Sequence, residues 1–183
     1  MKKIIALYVA MFGILGRGWA ATGVAEIKGT AEGSMIQGTV HFTDTAAGLQ
    51  IKAQLSGIPP GSHAFHIHEF GSCADLGKAA GSHYNPLGAP HGHVLKDGIQ
   101  HAHAGDLGNV LVAKDGTAAL EATVKDVTLS GGKYDVAGRS VVLHEKVDDF
   151  SQPAGNAGNR IGCGVIVIIG TPVPAAAAPP AKM

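Results

Sequence analysis

Ala64-Phe65-His66-Ile67-His68-Glu69 reads as a β-strand with two histidines on one face. Successive strand side chains point to opposite faces. Phe65 and Ile67 therefore share one face, and His66 and His68 share the other. Two imidazoles two residues apart on a rigid face are half of a metal site, and imidazole suits copper and zinc. A half-buried strand carrying two histidines would alternate in the same way, so the flanking residues decide between the readings.

Outward from this stretch the pattern stays that of strands. Val24 to Ile27 opens a weak one. Ile36, Gly38, Val40 and Phe42 alternate with Gln37, Thr39 and His41, and Leu49, Ile51, Ala53 and Leu55 alternate with Gln50, Lys52, Gln54 and Ser56. Pro59-Pro60-Gly61 breaks the pattern before the His66 strand. Val110 to Val112 and Ala118 to Val124 flank Lys114-Asp115-Gly116, where Asp-Gly signals a hairpin. Val141 to His144 is a further strand, and Gly164 to Ile169 is a continuous apolar run expected to be buried. No segment holds a 3.6-residue period, so the class is an all-β sandwich or barrel. Two long segments lack apolar patterning, roughly Gly71 to Gly108 and Glu145 to Asn159. Loops of that length in a compact domain are usually functional.

The chain has ten histidines, and seven of them fall between His66 and His103: His66, His68, His83, His91, His93, His101 and His103. Asp106 closes that segment in His103-Ala104-Gly105-Asp106. His144 returns on another strand, sharing a face with Val142. A cluster of this density with a carboxylate and loop glycines is best explained by metal.

Lys2 and Lys3, an apolar run from Ile4 to Leu15, and Gly18-Trp19-Ala20 read as a secretory signal peptide over residues 1–20. No other apolar run is long enough to span a bilayer. The formal charge is zero for the full chain; without Lys2, Lys3 and Arg17, eleven cations face 14 anions. That balance excludes the basic face that nucleic-acid binding needs. Cys73 and Cys163, an even count in an exported chain, read as one disulfide. Roughly 160 mature residues make one domain, and Pro/Ala-rich 171–183 reads as a flexible tail.

Six stretches then occur in order. They are Phe65-His66-Ile67-His68-Glu69, Gly81-Ser82-His83-Tyr84-Asn85-Pro86, His91-Gly92, His103-Ala104-Gly105-Asp106-Leu107-Gly108-Asn109, Val141-Val142-Leu143-His144-Glu145-Lys146, and Gly155 to Gly164 (Gly-Asn-Ala-Gly-Asn-Arg-Ile-Gly-Cys-Gly). With both cysteines they resemble the copper/zinc superoxide dismutases, and Cys73, five residues after His68, resembles the bacterial exported type. The resemblance runs from about Gly23 to Gly170. It implies an all-β, eight-stranded Greek-key barrel or sandwich with two long functional loops, in a domain over 21–170. The implied enzyme converts two superoxide anions and two protons into oxygen and hydrogen peroxide. It cycles Cu(II)/Cu(I) and carries one copper and one zinc ion per subunit, as a monomer or homodimer in the periplasm or otherwise exported.

Carried over by motif, the resemblance implies copper on His66, His68, His83 and His144. It implies zinc on His83, His91, His103 and Asp106, with His83 shared and acting in proton delivery. Three nitrogens and one carboxylate make a closed, structural zinc set; four nitrogens suit tetragonal copper with an open position. Arg160 would hold the incoming anion, although its spacing alone reads as a surface ion pair. Asp148 resembles the carboxylate that orients one histidine of each metal, with Asp149 as the fallback. His63 matches a structural histidine of the family. His93 and His101, each two residues from a nominated ligand, compete with His91 and His103, and His41 reads as a surface residue. The sequence also departs from the eukaryotic cytosolic pattern. The span from His144 to Arg160 is short, Pro153-Ala154 replaces a Lys-Thr pair, and Ala64 replaces a glycine. A non-catalytic copper- or zinc-binding protein would lack Arg160 or the open copper position. A copper-only dismutase would lack His91, His103 or Asp106, and an adhesion sandwich needs no histidine cluster.

Overall fold

A computed structural model describes residues 20–170 of the chain. Of the segment read as signal peptide, 1–20, residues 1–19 lie outside the described residues, as does the segment read as tail, 171–183. The strands are β1 (Thr22–Gly29), β2 (Gln37–Thr45), β3 (Gly48–Ser56), β4 (Gly61–His68), β5 (Asp106–Val112), β6 (Ala118–Val124), β7 (Ser140–His144), β8 (Arg160–Val165) and β9 (Val167–Gly170). They form one antiparallel sheet in the order β5-β4-β7-β8-β1-β2-β3-β6, with β9 on β1. The connections β3 to β4 and β6 to β7 join strands that are not neighbours, which makes the eight-strand, nearly closed barrel a Greek key.

Alternation places the faces as it should. On β3, Leu49, Ile51, Ala53 and Leu55 are buried while Lys52 and Gln54 are exposed. Phe65 and Ile67 of β4 and Val141 and Leu143 of β7 enter the main core with Phe42, Leu49 and Ile51. The other face of β7 is not solvated. There Val142 packs with Ala80, Cys163 and Cys73 in a small second cluster. The two loops therefore roof the outer face of β4, β7 and β8, and this roofed face carries His66, His68 and His144.

Two expectations are corrected. Gly164 to Ile169 is not one buried strand. Ile166 leaves the ladder, its main chain pairing instead with Gly138 and Arg139. Its side chain stays in the core while Val167, Ile168 and Ile169 of β9 are exposed. Nothing in the described chain covers the outer face of that short strand. The Asp115-Gly116 turn does form, with Gly116 at φ +80° and Thr117 bonded to Asp115. The hairpin ladder does not follow, because β5 and β6 are the two edges of the sheet. Each already pairs on its other side, with β4 and β3, and Val110, Val112, Ala118 and Val124 turn into the core along the seam between them.

The first long loop has a hydrophobic footing that strand and helix periods do not reveal. Tyr84, Val94, Ile99, Ala102 and Ala104 all enter the main core. It holds a 3-10 turn (Lys78–Ala80) and one short helix, α1 (Val94–Asp97). Cys73 and Cys163 are joined, with Cα atoms 5.7 Å apart, across a sequence separation of 90. Closing a loop of that length stabilises by about 4.6 kcal/mol in the chain-entropy account, and it ties the first loop to β8.

Candidate metal centre

Strand register brings the distant parts together. β4 pairs with β7, placing His66 opposite Val142 and His68 opposite Ser140. An isolated bridge joins His68 to His83, which draws the first loop back over β4. β7 pairs with β8 with a register shift at its end, and His144 there faces Arg160. β4 and β5 carry a shift between Ala64 and His66, after which His66 faces Asp106. Ala64 is fully buried at that irregularity and its N–H donates to Lys146 O (2.8 Å), so the bend forms with alanine in place of glycine.

Two groups of donors result, His66/His68/His83/His144 and His83/His91/His103/Asp106, each with its donor atoms within 4.8 Å of one another. Hydrogen bonds determine which nitrogen of each ring carries the lone pair. His66 Nε2–H donates to Asp148 Oδ2 (2.8 Å), leaving Nδ1 buried and without a partner. His68 Nδ1–H donates to Gly81 O (3.0 Å), and His144 Nδ1–H is directed at Gly158 O (3.5 Å). The Nε2 atoms of His68 and His144 then face each other at 3.2 Å with no donor between them. Burial, with the neighbouring rings adding, holds all three rings neutral: His66 falls to about 4, His68 to about 2 and His144 to about 3. Converging neutral lone pairs in a buried site are what a soft-to-borderline cation requires and what an empty protein interior would avoid.

The second group has the complementary chemistry. Burial alone would raise the Asp106 carboxyl, but His103, His83, His91 and the Gly92 N–H hold it far below the usual carboxylate range. Its Oδ1 lies 2.8 Å from His83 Nδ1 and 3.2 Å from His103 Nδ1. Its Oδ2 accepts from the N–H groups of Gly92 (3.0 Å) and His103 (3.1 Å). His91 Nε2–H donates to Asp148 Oδ1 (2.9 Å). His91 Nδ1 sits 2.8 Å from Asp106 Oδ2 without hydrogen-bond alignment. Burial pulls His91 down, yet Asp106 and Asp148 outweigh it and raise the ring to about 9. Two carboxylates thus hold a proton where a cation would sit. Three nitrogens and a carboxylate oxygen around one point fit zinc, and four nitrogens with one side on a cleft fit copper.

That cleft, of about 780 Å³, is lined by His68, His83, His144, Arg160, Pro153 and Asn156, among others. Arg160 is gripped from behind. Its Nη1 donates to Gly77 O (2.6 Å) and Lys78 O (3.1 Å), and its Nη2 to Gly81 O (2.5 Å). Three of five guanidinium N–H groups are used, and the other two have no partner among the described residues and could grip an anion.

Of the other sequence candidates, His93 and His101 belong to neither group. His93 stacks on Phe150 (5.5 Å) and His101 is exposed, as is His41. His63 has its ring nitrogens 2.9 Å from His144 O and Pro59 O, against the strand that carries His144. Asp149 turns instead to Ser151 and Asn156 within its own loop. Sequence reasoning assigned no role to Asn109, whose amide exchanges hydrogen bonds with the Asp148 main chain (3.0 and 2.7 Å). It assigned none to Gln152 either, and that side chain has no sequence signal, since only the fold brings it to His91.

A Greek-key barrel whose outer face holds two adjoining groups that could each hold a metal ion, sharing one imidazole beside a cleft with a fixed guanidinium, fits a two-metal protein that acts on a small anion. The family described as Copper/zinc superoxide dismutase (SODC) matches residues 36–166. Superoxide dismutase [Cu-Zn] 3 of Arabidopsis thaliana is 38% identical over 139 residues, 72% of this chain and 82% of that protein. An extracellular superoxide dismutase [Cu-Zn] of Brugia pahangi is 34% identical over 158 residues, 81% of this chain and 76% of that protein. The crystal structure of the clock protein EA4 superposes with a TM-score of 0.73 at 35% identity, covering 82% of this chain and 96% of the other. The chain belongs to the copper/zinc superoxide dismutase family, enzymes that disproportionate superoxide with copper and zinc.

Proposed function

We propose that His66, His68, His83 and His144 hold copper in this enzyme, that His83, His91, His103 and Asp106 hold zinc, and that His83 is shared. Copper bound there supplies the one-electron couple that oxidises one superoxide and reduces the next. The residues do the rest. Arg160 binds the anion through its two free N–H groups, held rigid by the carbonyls of Gly77, Lys78 and Gly81. His83 presents Nδ1 to the Asp106 side, so a proton for the product peroxide is held and delivered at Nε2. Asp148 accepts from His66 and His91 at once and keeps both rings turned with their other nitrogens inward. Pro153 and Ala154 wall the cleft without adding charge, and among the residues lining it Arg160 is the one permanent cation.

The mature domain is read as 21–170, after a signal peptide at 1–20 and before a tail at 171–183, exported to the periplasm or beyond. The Cys73–Cys163 bridge supports an oxidising compartment, and the placement of Cys73 supports the bacterial exported type. One chain supplies every donor of both groups, so either a monomer or a homodimer would be competent.

The reading rests chiefly on one observation: donor atoms from four elements converge on two points and share the His83 ring. Metal analysis of the purified protein starting at Ala21 should find one copper and one zinc per chain, with superoxide turnover. Arg160→Ala should lower turnover by more than tenfold with both metals still bound. Unchanged turnover would remove the role given to Arg160, and loss of only one metal in His83→Ala would argue against a shared ring.

A further inference from the structure

The loop from Glu145 to Asn159 folds largely on itself. Lys146 N–H donates to Ala157 O, Asp149 N–H to Gly155 O and Gly155 N–H to Ser151 O. Its tip walls the copper-side cleft through Pro153, Ala154 and Asn156. It meets the zinc-side loop where Phe150 stacks on His93 and, by two separate sets of hydrogen bonds, at His91. The Asp148 carboxylate meets the His91 side chain. Independently, the Gln152 amide meets the His91 main chain, its Oε1 accepting from His91 N–H (3.0 Å) and its Nε2 donating to His91 O (2.8 Å). A side-chain amide here completes a two-bond bridge of the kind that joins neighbouring strands. Such a bridge is indifferent to protonation and to what the His91 ring binds. The Asp148 link is not, because it runs through that ring.

We propose that Gln152 is a positioning residue for the reaction. Its amide clasps the His91 main chain and docks the Pro153–Asn156 wall of the copper-side cleft onto the zinc half of the centre, so the wall keeps its place when zinc is absent. The inference rests on the reading of His91 as a zinc ligand, and the clasp itself needs only the main chain. Gln152→Met keeps the length and removes both bonds. Gln152→Glu keeps the acceptor for His91 N–H but sets a carboxylate against His91 O.

The test compares the wild type and both variants in three forms: loaded with copper and zinc, loaded with copper alone, and metal-free. Hydrogen exchange at the amides of Lys146, Asp149 and Gly155, whose N–H groups donate within the loop to Ala157 O, Gly155 O and Ser151 O, reads the wall directly, and azide titration of the copper-only form reads the cleft. In the copper-only and metal-free forms, Gln152→Met should exchange about tenfold faster than wild type at these amides, with Gln152→Glu in between. Its azide affinity should fall several-fold, while β3 and β6 amides keep wild-type protection. Equal exchange and equal azide affinity in wild type and Gln152→Met without zinc would overturn the proposal. The zinc content of His91→Ala separately tests the ligand assignment. A variant that still holds zinc as wild type does would remove that assignment without affecting the exchange result in the metal-free form.

Discussion

Gly155→Ala is the sharpest probe of how the centre is held, because it changes no ligand. Gly155 has φ +70°, and a methyl built on it would stand 2.6 Å from Asp148 Cγ and 2.7 Å from His91 Nε2, closer still to Asp148 Oδ1. It would therefore occupy the hydrogen bond that joins the carboxylate to the ring of His91, the proposed zinc ligand. Two costs add. A non-glycine residue in the left-handed region costs about 1–2 kcal/mol. Displacing a buried, charge-assisted hydrogen bond costs about 1.5–3 kcal/mol more. Gly33 isolates the first cost, since its φ is +72° and nothing lies within 4 Å of an added methyl. Urea unfolding of the zinc-loaded protein should thus show Gly155→Ala losing about 2.5–5 kcal/mol against about 1–2 for Gly33→Ala. Zinc release to a chelator should be about 10–100-fold more favourable in Gly155→Ala, the usual penalty for losing an outer hydrogen-bond partner of a ligand, and unchanged in Gly33→Ala. Equal destabilisation of the two variants with equal zinc retention would refute the reasoning.

Four further outcomes follow from the same geometry. Asp148→Asn leaves one acceptor oxygen where two ring N–H groups are now served; zinc affinity should drop about 10–100-fold by competition with a chelator, the overall fold being retained by circular dichroism. Reducing the Cys73–Cys163 bridge frees the loop whose Gly77, Lys78 and Gly81 carbonyls grip Arg160. Azide affinity at copper should then fall before either metal is lost, and full affinity in the reduced protein would sever that link. In the metal-free chain, His66, His68 and His144 are depressed to about 4, 2 and 3. Their contribution is intact above the unfolded value near 6.5 and is lost as pH falls from there through each folded value, at most about 1.4 kcal/mol per group per pH unit. Urea midpoints should drop steeply between pH 6.5 and 4.5. His91, raised to about 9, behaves oppositely and loses its contribution as pH rises through 9. Zinc binding at pH 7.5 should accordingly release close to one proton, read by calorimetry in buffers of different ionisation heat, and a proton-neutral reaction would contradict that shift.

Much of the barrel was legible because period two is a local property. Alternation in β2, β3 and β4 names the inward residues without knowledge of any partner strand. Where burial depends on what lies opposite, the reading failed. Val167 to Ile169 look like core by composition, yet they lie on β1 with their outer face uncovered. The Asp115-Gly116 turn was visible, but its two strands are sheet edges, which only the full strand order reveals. The first long loop hid its apolar contacts because Val94, Ile99 and Ala102 follow neither period while reaching the same core.

For the centre, the sequence alone determined the chemistry on offer: a dense set of imidazoles, one carboxylate closing the cluster, and two histidines held on one strand face. The tertiary structure alone decided which nitrogen of each ring faces inward, that His144 and Arg160 stand side by side, and that Asp148 and Gln152 both reach His91. The physical reason is that residue type and strand period are written along the chain. Tautomers and loop clasps are instead set by hydrogen bonds between segments tens of residues apart, and those partners exist only once the register of β4, β7 and β8 has formed.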